Sequence, residues 1–380
     1  MRRLRKFLGV VFAFCLLAAM GSAADPGREA FQPGELWLDN HGQAINAHGG
    51  GILFYEGIYY WFGEHKIAGP IGNSAQVGVH VYSSKDLYNW NDEGIALPVS
   101  EDPSSDIAKG CILERPKVLF NQQTGKFVMW FHLELKGHGY RAARSGVAVS
   151  HRPIGPYQFL YSLRPNAGVW PENFPADERR PLSGQEQADH GLAADSVFRR
   201  DFEKGQMARD MTLFLDDDGR AYHIYASEEN GTLQISQLNS EFTWPAGRYT
   251  RVMIGGFNEA PALFKKDGHY YLFASGTTGW RPNACRSYTA TNIFGPWTSL
   301  GNPCRGTEEQ NKITFDSQPT FVVAAPGHEG QFIFMADRWR PRNPIDGRYV
   351  WLPIVFDHGR PVLEWKENWK LDGFDRHGGS

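Results

Sequence analysis

Four segments that lie far apart in the chain each place a carboxylate or an amide directly before an apolar run. Side chains of these types can transfer protons and hold water through hydrogen bonds. A charged group at the buried start of a strand costs free energy unless it is paired or takes part in chemistry. A structural salt bridge is the alternative for any single segment, but it explains the whole set poorly. The segments are Glu114-Arg115-Pro116-Lys117, Arg209-Asp210-Met211, Glu259-Ala260-Pro261 and Asp316-Ser317-Gln318-Pro319.

The elements that position these residues form an internal repeat. An apolar strand, a turn that contains glycine and a strand rich in aromatic residues recur five times, first as Ile52–Phe54, Gly57 and Tyr59–Phe62. Two of the turns are Asp-Gly pairs, which strongly predict a β-hairpin. A third alternating strand follows each hairpin, and several repeats end in a short fourth strand. The five turn glycines are Gly57, Gly125, Gly219, Gly268 and Gly330.

Five units of three to four antiparallel strands, with no convincing helix, predict an all-β, five-bladed β-propeller. A β-sandwich would explain the strands, but not the fivefold return of the same unit. In a propeller the innermost strands meet around the central axis, so the four polar segments should lie close together. The segment that opens the first blade, His48-Gly49-Gly50-Gly51, offers no carboxylate.

At these segments the sequence resembles glycoside hydrolase family 43, whose members are five-bladed propellers that invert the anomeric carbon. The resemblance extends over residues 40–366. It implies that Glu259 is the general acid and that Asp210 orients this acid and tunes its pKa. Most of the family carries an aspartate base in blade 1, where this chain has Gly49. Because this aspartate is missing, the resemblance narrows to the exo-β-1,3-galactanase branch, which lacks the same aspartate.

In that branch a glutamine is proposed to activate the attacking water, and the imidic acid tautomer is one form in which the glutamine would do so. The glutamine corresponds to Gln318, and a further essential glutamate corresponds to Glu114. Glu114, if ionised, would accept the proton itself or polarise Gln318. The resemblance also implies that Glu64, Tyr140, Thr277 and Trp280 contact sugar hydroxyls or rings. A packed core position is the alternative for Trp280, and His48 either lines the pocket or fills the axis.

These residues predict an exo-acting, inverting glycoside hydrolase that releases galactose from a β-1,3-galactan-type plant polysaccharide. An α-L-arabinofuranosidase or a β-D-galactofuranosidase of the same family is an alternative. A carbohydrate-binding propeller that has lost catalysis is another, suggested by the missing aspartate. No Cys/His cluster and no phosphate-binding loop is evident, so we expect no cofactor and no metal.

Residues 1–24 are typical of a signal peptide, with a basic start, an apolar run and small residues before Asp25. We therefore expect a secreted or periplasmic protein whose residues 25–380 form a single propeller domain. Without the leader the net charge is about −7, which argues against nucleic acid as a partner. No later segment is apolar enough to span a membrane. The expected partner is an oligo- or polysaccharide.

Two further features complete the sequence. Residues 165–206 form a long insertion, which we place as an ordered loop over one mouth of the propeller, with flexible decoration as the alternative. Three cysteines remain after the leader, and Cys285 and Cys304 are predicted to form a disulfide. The alternative is that all three are small buried apolar side chains.

Overall fold

The computed structural model describes residues 27–182, 186 and 194–377. Five antiparallel sheets account for the repeats found in the sequence. The predicted signal peptide and part of the insertion lie outside the described residues. Within the described part of the chain, no helix is long and apolar enough to cross a membrane.

Each blade is built from strands that follow one another in the chain. Blade 1 contains β1 (His48–Tyr55), β2 (Ile58–Glu64), β3 (Gly78–Ser84) and β4 (Asn91–Pro98). Blade 2 contains β5 (Ile112–Asn121), β6 (Lys126–Glu134), β7 (Arg144–Ser150) and β8 (Gln158–Leu163). Blade 3 contains β9 (Met211–Leu215), β10 (Ala221–Ser227), β11 (Thr232–Leu238) and β12 (Pro245–Val252).

Blade 4 contains β13 (Asn258–Lys266), β14 (His269–Gly276), β15 (Arg286–Ala290) and β16 (Thr298–Gly301). Blade 5 contains β18 (Gln318–Ala324), β19 (Phe332–Arg338), β20 (Arg348–Asp357) and β21 (Arg360–Glu364), with the short β17 (Cys304–Arg305) parallel to β21 at the outer edge. Short α-helices cover Ala194–Arg200 and Glu308–Lys312, and 3-10 turns cover Ala176–Glu178, Pro344–Asp346 and Leu371–His377.

The first strands of the five blades form a closed ring. β1 contacts β5, β5 contacts β9, β9 contacts β13, β13 contacts β18 and β18 contacts β1. The predicted hairpins join the first and second strands of every blade, as at Asp267-Gly268, where both residues have positive φ angles (49° and 75°). The five-bladed propeller predicted from the repeats is confirmed.

Apolar clusters fill each seam between neighbouring blades. The seam between blades 5 and 1 differs because segments from both ends of the described chain close it. Phe31 and Trp369 form an antiparallel bridge there, with N···O distances of 2.9 and 3.1 Å. Their rings stack with centroids 4.3 Å apart. The ring of blades is therefore closed by side chains, by this bridge and by a 2.7 Å hydrogen bond from the Gly34 N–H to the Tyr349 carbonyl.

The predicted disulfide is wrong. Cys285 and Cys304 are free thiols packed in the same apolar cluster at the seam between blades 4 and 5, and Cys111 is also free and buried. Burial raises the pKa of Cys111 and of Cys304 to about 12. All three cysteines thus serve as small apolar side chains, which was the alternative interpretation.

Candidate active site

A pocket of about 220 Å³ opens on the propeller axis where the innermost strands begin. Seven of the nine predicted site residues line it, and they come from all five blades. This volume lies below the 300–1,000 Å³ of typical ligand pockets, which suits a single sugar unit better than a long oligosaccharide. The lining residues are Glu64, Glu114, Arg115, Tyr140, Arg209, Asp210, Asn230, Glu259, Gly279, Trp280, Gln318 and Trp339.

Irregular pairing at the starts of the innermost strands directs these side chains into the pocket. The register shifts after Glu114 in β5, after Glu259 in β13 and near Pro319 in β18. Bulges of this kind re-aim side chains and are common beside active sites. Arg115 and Ala260 have positive φ angles of 56° and 54°. Strained non-glycine residues of this kind cluster at functional sites.

Glu259 is a buried carboxyl group with few stabilising partners. Asn230 Nδ2 donates a hydrogen bond of 2.7 Å to its Oε1. Burial, followed by the like charge of nearby Asp210, raises the pKa of Glu259 to about 8. Asp210 itself pairs with Arg115 at 2.9 Å and accepts a 3.1 Å hydrogen bond from the backbone N–H of Ala260. Glu259 is therefore protonated at neutral pH and can donate a proton.

Glu114 has the opposite environment in the same pocket. Its Oε2 lies 3.1 Å from His132 Nδ1, and its Oε1 accepts hydrogen bonds from Tyr140 (2.7 Å) and Asn73 (3.3 Å). Burial alone would raise its pKa, but the contact with His132 and the charges of His132 and Lys66 lower it to about 2. Glu114 is therefore ionised throughout the ordinary pH range.

The amide of Gln318 is fixed in one orientation. Its Oε1 accepts hydrogen bonds from Arg115 Nη2 (2.6 Å) and Trp339 Nε1 (2.7 Å), and its Nε2 donates to Ser275 Oγ (2.8 Å). Guanidinium and indole N–H groups can only donate, so a flipped amide would place donors against donors. Both acceptor positions of Oε1 are occupied, and one Nε2–H remains for a molecule in the pocket.

Blade 1 supplies a carboxylate by a different route. Gly49 has a φ of 60°, and a Cβ added there would lie 2.3 Å from Glu64 Oε1. Glu64 comes from the end of β2, pairs with Lys66 and accepts a 2.9 Å hydrogen bond from the Arg115 N–H. Burial, together with the charge of Glu114, raises the pKa of Glu64, whereas Lys66 acts against this. The carboxylate of Glu64 thus fills the space beside the glycine.

Two predicted site residues do not reach the pocket. Thr277 is exposed in the loop after β14, from which only Gly279 and Trp280 line the pocket. This loop turns away at Gly276, which exchanges two hydrogen bonds with Asn283. His48 is fully buried and stacks on Tyr349 with ring centroids 5.4 Å apart. His48 therefore fills the axis, the second of its two predicted roles.

Five lining residues were not singled out from the sequence: Arg115, Arg209, Asn230, Gly279 and Trp339. Arg115 directly follows Glu114, and the one available signal was its position, a charged residue inside a motif that leads into an apolar strand. Asn230 occurs in a Glu-Asn-Gly run that reads as an ordinary turn. Trp339 follows β19, and its indole is 5.6 Å from Trp280 in a T-shaped arrangement. Trp280 is 38% exposed, which leaves its ring open to a ligand.

Glu114, His132 and Asp210 are the described groups best placed to share a cation, with ligand atoms within 4.8 Å of one another. Each already has a partner, because His132 lies between two carboxylates and Asp210 pairs with Arg115. The charges of this cluster are thus compensated by side chains, and we assign no metal to it.

The described part of the insertion packs against blade 3. Phe174, Phe198 and Phe202 form a cluster with Tyr249 of β12. No described residue of the insertion lines the pocket. Its link to the pocket wall is Arg200, which lies 3.2 Å from Glu229. Glu229 in turn pairs with Arg209 of the wall at 2.9 Å.

Comparison with known proteins agrees with this architecture. The pattern described as "Glycosyl hydrolases family 43" matches residues 194–355. A solved family 43 β-1,3-galactosidase, determined with galactodeoxynojirimycin, is 50% identical, with 90% of this chain and 100% of that chain covered and a TM-score of 0.85. The exo-β-1,3-galactanase of Phanerochaete chrysosporium, solved with galactose, is 31% identical, with coverages of 90% and 68% and a TM-score of 0.71.

A curated β-D-galactofuranosidase from Aspergillus niger is 30% identical over 130 residues, which are 31% of this chain and 37% of that protein's length. The match thus spans little more than a third of this relative. The family match and the 50% identity to a solved β-1,3-galactosidase show that this propeller is a glycoside hydrolase. The chain belongs to glycoside hydrolase family 43.

Proposed function

We propose that this hydrolase releases galactose, one unit at a time, from the non-reducing end of β-1,3-linked galactan, with inversion at the anomeric carbon. The observation that carries the proposal is the pairing, in one small pocket, of a protonated Glu259 with an ionised Glu114 and a fixed Gln318. The 50% identity to a β-1,3-galactosidase over 90% of the chain supports galactose as the sugar.

Glu259 is proposed to be the general acid. An inverting glycosidase needs an acid beside the leaving oxygen and a group that activates water on the opposite face. The acid proton moves to the leaving oxygen as the bond from this oxygen to the anomeric carbon breaks. Asn230 holds Oε1 and so favours the proton on Oε2. Asp210 keeps the proton on Glu259 through its like charge.

Gln318 is proposed to hold the attacking water, but not as an imidic acid. That tautomer would put a proton on Oε1, which would then face the donors of Arg115 and Trp339. The amide form avoids this conflict and offers its remaining Nε2–H to the water oxygen. As the water oxygen bonds to the anomeric carbon, its proton must pass to a carboxylate. We assign that role to Glu114.

Three other residues of the pocket are proposed to bind the sugar. Glu64 and Tyr140 offer a carboxylate and a hydroxyl at the pocket wall, and Trp280 offers an exposed ring for the apolar face of galactose. Thr277 would need a change in its loop to contribute. His48 is proposed to support the axis rather than to contact substrate.

One incubation series tests the proposal. The pure protein is given β-1,3-galactan, arabinan and an aryl β-D-galactofuranoside, and the products are separated by chromatography from the earliest time points. We expect galactose alone from the galactan, first seen by proton NMR as the α-anomer. A ladder of oligosaccharides would contradict exo action, and a β-anomer would contradict inversion.

The galactofuranosidase remains a second candidate because of the match to the Aspergillus niger enzyme. Faster release from the galactofuranoside than from galactan would favour it. Binding of galactan without any product would indicate a carbohydrate-binding propeller. For the location, we propose export directed by residues 1–24, which predicts a mature chain that begins near Asp25.

A further inference from the structure

A row of three buried titratable side chains runs from the pocket into blade 2. Glu114 of β5 pairs in register with His132 of β6, and Glu134 lies two residues further on the same face of β6. The imidazole Nδ1 is 3.1 Å from Glu114 Oε2, and Nε2 is 2.9 Å from Glu134 Oε1. The exposed fractions of the three residues are 7%, 1% and 0%.

The contacts determine the charge of the imidazole. A carboxylate can only accept hydrogen bonds, so a nitrogen that faces one is satisfied only when it carries hydrogen. His132 Nε2 makes a 2.9 Å hydrogen bond with Glu134 Oε1, and Nδ1 lies within ion-pair distance of Glu114 Oε2, so its two acidic neighbours favour the imidazolium. Burial opposes this charge, but the two glutamates prevail and raise the pKa of His132 to about 9. Glu134 is anchored in turn, because its Oε2 accepts a 2.8 Å hydrogen bond from the backbone N–H of Ala143.

We infer that His132 and Glu134 are positioning residues that keep Glu114 ionised and oriented while Glu259 is still protonated. This inference rests on the proposed function, because it gives that ionised carboxylate a task in hydrolysis. Neither residue lines the pocket, so both act through Glu114. The Glu114 carboxylate is held from one side by His132 and from the other by Tyr140 and Asn73.

His132 matters because the pocket is crowded with acids. The titratable or charged groups around Glu114 are His132 of β6, Glu64 and Lys66 at the end of β2, Arg115 of β5, Tyr140, Asp210 before β9 and Glu259 of β13. Arg115 and Lys66 are already paired with Asp210 and Glu64. Without the imidazolium, burial and three neighbouring carboxyl groups would favour a proton on Glu114. The fraction of enzyme with an ionised Glu114 would then fall in mildly acidic solution.

His132→Gln tests the inference because it removes the positive charge and keeps a side chain that can donate a hydrogen bond. His223→Gln is the matched control. His223 is also fully buried, lies between Trp130 and Tyr225, and has no ion pair among the described residues. The measurement is kcat/KM for galactan oligosaccharides from pH 4 to pH 9, with circular dichroism to verify folding. Glu134→Gln, which keeps the shape of the side chain, is a second variant if His132→Gln does not fold.

We expect wild type and His223→Gln to keep their activity down to pH 4. In His132→Gln, kcat/KM should fall at least about tenfold between pH 6 and pH 4, the direction that a buried carboxyl takes when it loses its counter-charge. Glu134→Gln should show a smaller fall of the same sign. The decline of kcat/KM above pH 8, which reflects the ionisation of Glu259, should occur at the same pH in these variants as in wild type. A His132→Gln profile that matches the His223→Gln profile overturns the inference.

Histidine-selective 15N NMR of the wild type separates this inference from the proposed function. His132 should give an imidazolium signal up to about pH 9. A neutral His132 at pH 7 overturns the inference even if galactan is hydrolysed. Failure of the wild type to hydrolyse any galactan would overturn the proposed function, and this inference with it, while the NMR signal would still report the ion pairs.

Discussion

Glu259 and Glu114 are identical side chains in one pocket, yet their neighbours move their pKa values in opposite directions. Glu259 faces the like charge of Asp210, and its closest partner is the neutral amide of Asn230. Glu114 is more deeply buried, but it faces an imidazolium. Burial raises the pKa in both cases, so the neighbouring charges and hydrogen bonds separate an acid near pH 8 from a carboxylate near pH 2. Pairs of this kind identify the acid and the base in hydrolases.

The largest expected effect is the loss of the acid. Glu259→Gln removes the transferable proton and keeps the hydrogen bond to Asn230. Hydrolysis of galactan should slow by at least about 100-fold, the usual scale of general-acid assistance. An aryl galactoside with an acidic phenol needs little protonation and should slow much less. Glu114→Gln should instead slow both substrates alike, because water must be activated whatever group leaves. Equal losses on both substrates in Glu259→Gln would reverse the two assignments.

A second test shifts the pKa of Glu259 without removing its carboxyl group. Asp210→Asn takes away the like charge and frees Arg115, and both changes favour ionised Glu259. The decline of kcat/KM on the alkaline side, expected near pH 8 in wild type, should move to lower pH by about one unit. The pH profile of initial rates measures the shift. An alkaline limb that stays in place would show that Asp210 does not tune Glu259.

The raised pKa of Glu259 should also affect the free energy of unfolding. The pKa of Glu259 is about 4.5 in a free side chain and about 8 in the fold. Its contribution to stability is thus fully present below pH 4.5 and is lost as the pH rises through 8. At pH 8 the free energy of unfolding of Glu259→Gln should exceed that of wild type by on the order of a few kcal/mol, so the variant should melt at a higher temperature. The two melting temperatures should converge near pH 4, and a constant difference at all pH values would contradict the raised pKa.

The smallest expected effect concerns the hydrogen bonds that fix Gln318. Trp339→Phe removes one donor to Oε1 and should lower kcat up to about tenfold, the value of one hydrogen bond. Trp280→Phe, on the neighbouring ring, is the control and should act mainly on KM. If freeing Oε1 instead made the enzyme faster, the imidic acid form would regain support.

The propeller and four of the seven predicted residues that line the pocket could be predicted from repetition, whereas Glu64, Tyr140 and Trp280 followed from the family resemblance. Glu114, Asp210, Glu259 and Gln318 all stand at the same point of their repeats, so the fold itself brings them together. Partners between blades have no such signature. Arg115 joins Asp210 of blade 3 to Gln318 of blade 5, although both follow it in the chain by more than 90 residues. Only the three-dimensional structure could show this.

The differences between expected and observed contacts have a similar origin. Thr277 and Trp280 lie in one short loop, and the path of that loop, set by Asn283, decides which of them faces the pocket. Cys285 and Cys304 are near each other in space, as predicted, but proximity does not supply the geometry of a disulfide. In both cases the local sequence indicated the neighbourhood, and backbone direction determined the contact.

We expect the seam between blades 5 and 1 to be the first part of the enzyme to yield under mechanical force. Tension applied to the two ends of the described chain acts first on the bridge between Phe31 and Trp369, which has two backbone hydrogen bonds and one stacked pair of rings. Rupture there would part Gly49 of blade 1 from Asp337 of blade 5, whose carboxylate accepts the glycine N–H at 2.7 Å. The pocket would open before any sheet unravels. Catalysis in a molecule held between two tethers should therefore stop at a lower load than the one that unfolds its blades.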